Sequence, residues 1–120
     1  SNAKYQSLFI SGLYYNSINE QAKATVYFDQ CIALDYTNTL AYREKAIAEY
    51  DMGKYLDALK TLELALAVKS SYDEAYYWMG RCYEKLGKKE AAIDNYKQAL
   101  QLSPNYIEAK DALAKMGVRM

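Results

Sequence analysis

Self-similarity at an offset of 34 residues, the separation of Gly80 from Ala46, restricts this chain more than any other feature. Shifting the stretch Asp73 to Tyr106, DEAYYWMGRCYEKLGKKEAAIDNYKQALQLSPNY, back by that offset lays Gly80 on Ala46, Gly87 on Gly53, Ala92 on Ala58 and Ala99 on Ala65. A second shift reaches Gly12, Asn19, Ala24 and Cys31. A period of this size marks a stacked array, because one unit alone cannot bury its apolar side and must rest on its neighbours. The chain is thus expected to form one domain with a modest core.

Within a unit the apolar spacing is three and four rather than two, which predicts helices. Ala92, Ile93, Tyr96, Ala99 and Leu100 fall on one face, while Lys88, Lys89, Asp94 and Lys97 lie mostly off it. Gly87 separates this helix from the one predicted from about Asp73 to Leu86, at a place where a left-handed turn is easiest for glycine. Ser103-Pro104-Asn105 then ends the unit, since proline breaks a continuing helix. The earlier junctions, Asp35-Tyr36-Thr37-Asn38 and Ser70-Ser71-Tyr72, lack proline but keep residues of the kind that cap helix starts. Ser1-Asn2-Ala3 are read as the remnant of an expression tag and left out, and the chain is expected to be a segment of a larger protein.

Composition excludes several function classes. Fifteen basic and fifteen acidic residues cancel without forming blocks, which argues against nucleic-acid binding. No apolar run reaches the roughly 18 residues that a membrane helix needs, so no membrane insertion by this segment is expected; the compartment stays open. With no histidine, the usual general base and the commonest metal ligand are missing. Cys31 and Cys82 form no C-x-x-C and are read as core thiols. Neither a catalytic residue nor a metal or cofactor is expected.

In this register the chain resembles the tetratricopeptide repeat (TPR) family. Tyr76, Met79, Gly80, Tyr83, Ala92, Tyr96, Ala99 and Pro104 of the third unit fall on the family's signature places. The first unit matches through Leu8, Gly12, Tyr15, Ala24 and Phe28, with Cys31 where the family prefers alanine and Tyr36 where it prefers proline. The implied fold is all-α: a right-handed α-α superhelix, or solenoid, of three helix-turn-helix repeats over 5–38, 39–72 and 73–106. A C-terminal capping helix follows over 107–118, where Ala109, Ala112, Leu113 and Met116 make one apolar stripe. Gly80 and Ala92 are expected where the two helices of a unit cross. The second unit departs from the pattern with Lys45 and Glu49, where the family has Leu or Met and then Tyr. Being four apart, they are read as a locally paired or snorkelling couple beside Ile47 and Tyr50, the alternative being a polar functional site.

The resemblance implies a non-enzymatic scaffold whose first helices line a concave groove for a peptide or helix of a partner protein. The groove-lining places carry Gln6, Phe9, Leu13 and Asn16 from the first unit, and Leu40, Arg43, Ile47, Tyr50 and Asp51 from the second. The third contributes Glu74, Tyr77, Arg81, Glu84 and Lys85. Arg43 and Arg81 are the expected anchors for a carboxylate, suiting a peptide with an apolar and an acidic portion. Against this stands the reading in which Phe9 and Leu13 pack on a further repeat and the charges only solvate the surface. Of the clamp with which one TPR subfamily holds the acidic tails of Hsp70 and Hsp90, only the arginine is present. Its places hold Phe9, Leu13, Glu44, Tyr77 and Arg81, so no Hsp70/Hsp90 carboxylate-clamp binding is expected. Most of the fourteen tyrosines, among them Tyr15, Tyr42, Tyr76, Tyr83 and Tyr96, fall on packing places; Tyr50 and Tyr77 do not. The alternative functions are self-association through the uncapped first repeat, and a regulatory arm of a multidomain enzyme or signalling protein.

Overall fold

The structure, a computed structural model, describes residues 2–119. Seven helices follow one another: α1 (Asn2–Ser17), α2 (Gln21–Leu34), α3 (Thr39–Asp51), α4 (Tyr55–Val68), α5 (Asp73–Lys85), α6 (Lys89–Leu102) and α7 (Ile107–Lys115). There is no strand among the described residues. The starts of α2, α4 and α6, and those of α3, α5 and α7, are 34 apart, so the sequence period is also the structural one. Each helix packs on the next, and α3 also touches α1 and α5, giving an elongated all-α stack of 45 × 26 × 21 Å. Asn2 and Ala3, set aside in the sequence, are part of α1, and α7 ends at Lys115 rather than continuing to 118.

Two local devices make the units alike. The first is the turn inside each pair. Asn19, Gly53 and Gly87 have φ of 62, 76 and 73°, the left-handed conformation that glycine and, next best, asparagine adopt. The following N–H groups, of Glu20, Lys54 and Lys88, donate to the carbonyls of Tyr15, Glu49 and Tyr83 at 2.8, 2.8 and 2.9 Å. These bonds satisfy carbonyls that the helix end would leave open, as in the Schellman motif. The second device is the helix crossing. A Cβ on Gly80 would lie 2.6 Å from the Tyr96 ring, and one on Gly12 would lie 2.5 Å from Phe28. The middle unit, in the same register, has Ala46 with Leu62, both buried, so a methyl is tolerated where the opposing ring is replaced by an aliphatic side chain.

The core runs the length of the stack. Ala24, Ala58 and Ala92 are fully buried, as are Cys31, Ala65 and Ala99, each set one period apart. Burial of the thiols pushes Cys82 up to about 12 and raises Cys31, so both stay protonated as core residues. The junctions are less uniform than the sequence predicts. Asn38 caps α3 by accepting from the Leu40 N–H at 3.1 Å, but Tyr72 and Tyr106 occupy the caps of α5 and α7 without a side-chain bond. Ser70 and Ser71, read as capping residues, do not cap; the Tyr72 ring is buried in the core instead, and Asp73 accepts from the Glu74 N–H at 2.8 Å.

Candidate functional site

The first helix of each pair presents one face in a repeating register. Gln6, Leu40, Glu74 and Glu108 share one place; Phe9, Arg43, Tyr77 and Asp111 the next; Leu13, Ile47, Arg81 and Lys115 the third. Asn16, Tyr50 and Glu84 complete it on the three full-length first helices. At the first-unit end Leu13 and Leu40 are exposed, whereas Phe9 is half-buried, stacked on Tyr5 at 6.1 Å and tilted against Phe28 at 5.7 Å. The Oδ1 of Asn16 is buried without a hydrogen-bond partner. Ile47 and Tyr50 are half-buried in the middle.

Arg43 is not an open anchor. Its Nη1 donates to both carboxylate oxygens of Glu74, at 3.0 and 3.1 Å, and its Nη2 to Glu44 at 3.0 Å. A guanidinium used on two carboxylates ties α3 to α5 and has little left for a ligand. Lys45 and Glu49 do not pair with each other as expected. Lys45 reaches across to Asp29 of α2 at 2.7 Å, and Glu49, only 9 % exposed, accepts from the Thr61 hydroxyl at 2.6 Å. The reason is that both side chains lie between helices, where partners on α2 and α4 are nearer than each other. Burial pushes the Glu49 carboxyl above its ordinary range, partly offset by Thr61 and Lys45.

Arg81 is the cation that remains. Its guanidinium lies 4.7 Å from the Trp78 ring, 4.8 Å from Tyr50 and 5.9 Å from Tyr77, and it makes no ion pair among the described residues. Ring contacts of this kind hold the guanidinium in place, and the Tyr50 and Tyr77 hydroxyls share its donors. Nearby Asp51 has its carboxyl raised by burial and drawn back by Arg81. Tyr77 stacks on Tyr106 at 5.3 Å, and the Tyr96 hydroxyl donates a hydrogen bond to Glu84. Between α5, α6 and α7 lies an open cavity of about 300 Å³, lined by Tyr77, Arg81, Glu84, Tyr96, Glu108, Asp111 and Lys115.

Thus the structure brings Tyr50, Tyr77, Arg81 and Glu84 together and pairs Arg43 with Glu44 and Glu74. The sequence reading omitted Trp78 and the α7 residues. The latter were within reach of the same register, because α7 aligns with a first helix and its groove places fall on Glu108, Asp111 and Lys115. Trp78 sits beside that register, and no spacing argument places its ring under Arg81.

Comparison with known proteins places this geometry. The model described as Tetratricopeptide repeat matches residues 73–106, and that described as TPR repeat matches residues 46–87. The human mitochondrial import receptor subunit TOM70 is 29 % identical over 100 residues, covering 80 % of this chain and 16 % of that protein. Serine/threonine-protein phosphatase T of Trypanosoma brucei brucei is 33 % identical over 89 residues, covering 74 % of this chain and 18 % of that protein. The chain therefore spans less than a fifth of these relatives. Among solved structures, the first TPR of Spaghetti (RPAP3) bound to the HSP90 peptide SRMEEVD superposes with a TM-score of 0.88 at 27 % identity, covering 98 % of this chain and 93 % of that one. Seven stacked helices, a repeat of 34 and these matches together establish that the chain belongs to the tetratricopeptide repeat family.

Proposed function

We propose that this chain is a non-catalytic protein-interaction scaffold that holds an extended peptide of a partner protein along the first-helix groove. The observation that carries the reading is Arg81: a guanidinium fixed by Trp78 and Tyr50, with no ion pair of its own among the described residues, facing the groove. A guanidinium carries five donors, more than the Tyr50 and Tyr77 hydroxyls use, so it can also meet a peptide carbonyl or carboxylate, and tyrosine, tryptophan and arginine are the residues that dominate interface energetics. Leu13 and Leu40 at the other end offer apolar contact, with Phe9, Asn16 and Ile47 behind or beside them. Arg43 acts by holding Glu74 in line rather than by touching the peptide.

Peptides selected from a displayed random library are expected to bind the wild-type chain with micromolar Kd. Leu13→Glu and Arg81→Leu are each expected to weaken them at least about tenfold, or roughly 1.4 kcal/mol. Both variants must melt as the parent does; wild-type affinity in both would remove the reading. The acidic tail SRMEEVD, which the RPAP3 structure holds, is expected not to bind here. Phe9, Leu13 and Tyr77 offer no charge to it, and Glu44, despite its contact with Arg43, places a carboxylate on that face. Micromolar affinity by calorimetry would overturn this expectation.

Self-association is the second reading. Ile10 and Tyr14 on α1 are 64 % and 57 % exposed, whereas Glu44, Ala48, Trp78 and Cys82, one and two periods on, are buried or half-buried against the preceding unit. A concentration-independent monomer in light scattering would count against it.

A further inference from the structure

We infer that the cavity between α5, α6 and α7 is a socket for a basic side chain, lysine or arginine, of the bound peptide. The inference rests on the groove reading and reverses the charge expected of the peptide at this end. Two cations, Arg81 and Lys115, line the cavity against three carboxylates, Glu84, Glu108 and Asp111, so the lining carries one net negative charge. The two cations do not neutralise the acids. Arg81 lies over Trp78 and Tyr50, and no lining carboxylate has an ion pair within 4.0 Å among the described residues. Glu84 is held in place by the Tyr96 hydroxyl and can accept further, since an ionised carboxylate has about four lone-pair sites.

The shape agrees with the charge. The half-buried Tyr77 ring offers an apolar face along which a four-carbon or guanidino stem can lie, with the fully buried Tyr96 behind it and the exposed carboxylates of Glu108 and Asp111 on α7 beside it. A volume of about 300 Å³ admits one such side chain and not a folded segment. An acidic side chain entering here would meet three carboxylates and find only Arg81 and Lys115 in its favour. The peptide that fits the whole groove is therefore apolar at the Leu13 end and carries a base near Arg81, where the cavity lies.

The test is a titration of the isotopically labelled chain, followed by its backbone amide resonances, with the N-acetyl methylamides of lysine, norleucine and glutamate. Lysine is expected to give saturable shifts at Tyr77, Ala112 and Lys115 in the millimolar range, with norleucine at least about fivefold weaker and glutamate without effect. The combined substitution Glu108→Gln and Asp111→Asn, at two exposed positions, is expected to weaken the lysine response at least about fivefold without moving the melting midpoint. No saturable shift with lysine, an equal response to glutamate, or an undiminished response in the double variant would each overturn the socket. Failure here leaves peptide binding to be judged by Leu13→Glu, which lies at the other end of the groove.

Discussion

Gly80→Leu is expected to lower the thermal unfolding midpoint by more than about 10 °C, from roughly 3–5 kcal/mol of overpacking and backbone displacement. A bare Cβ at this position would already stand 2.6 Å from the Tyr96 ring, and the next two ring atoms lie at 2.7 and 2.9 Å. Tyr96 cannot swing away. It is fully buried, packed beside Tyr77, and bonded through its hydroxyl to Glu84. The strain would pass to the crossing of α5 and α6 and from there to α7, which shares the same core cluster. The middle unit points to a rescue, because Ala46 and Leu62 occupy the places of Gly80 and Tyr96. Gly80→Ala combined with Tyr96→Leu is therefore expected to be less destabilised than the sum of the two single changes, by at least about 1 kcal/mol of coupling. A Gly80→Leu chain that melts within about 2 °C of the parent would contradict the packing argument.

The same contrast explains how much was legible in the sequence. Gly12 with Phe28 and Gly80 with Tyr96 are constraints inside one helix pair, and Asn19, Gly53 and Gly87 are constraints on single backbone dihedrals. Both kinds recur with the period, so the fold could be read from spacing. The site was only half readable, because its decisive contacts join helices of different units. Arg43 and Glu74 look like solvated helix charges until α3 lies beside α5. Lys45 and Glu49 look like a pair at the helical i, i+4 spacing until α2 and α4 supply Asp29 and Thr61. Tyr72 and Tyr106 replace polar caps because each ring is worth more in the inter-unit core than a serine hydroxyl is at a helix end. The groove places of α7, in contrast, follow the period, and treating that helix only as a cap concealed Glu108 and Asp111.

Thr61→Val is expected to cost about 2 kcal/mol at pH 7.5, seen as a fall of roughly 8 °C in the melting midpoint, because it leaves the Glu49 carboxylate without its donor. Thr61 and Glu49 are 4 % and 9 % exposed and 2.6 Å apart, so water cannot easily replace the hydroxyl. Burial holds the Glu49 carboxyl above its ordinary value, and Asp57 and Asp29 push it the same way, while Thr61 and Lys45 pull it down. A carboxyl raised in the folded chain favours folding below its unfolded value, about 4.3, and that contribution is lost as pH rises through the folded value. Without the hydroxyl the folded value rises further, so more stability is lost at neutral pH than in acid. The cost of Thr61→Val should accordingly shrink by at least half on going from pH 7.5 to about pH 4, where Glu49 is largely protonated in both states. Glu49→Gln should show the complementary pattern, more stable than the parent at pH 7.5 and equal to it near pH 4. In a Glu49→Leu background the Thr61→Val change should cost little, since no charge is left to satisfy. A loss that is the same at both pH values, or that persists undiminished in the Glu49→Leu background, would assign the effect to packing at Thr61 rather than to the buried charge.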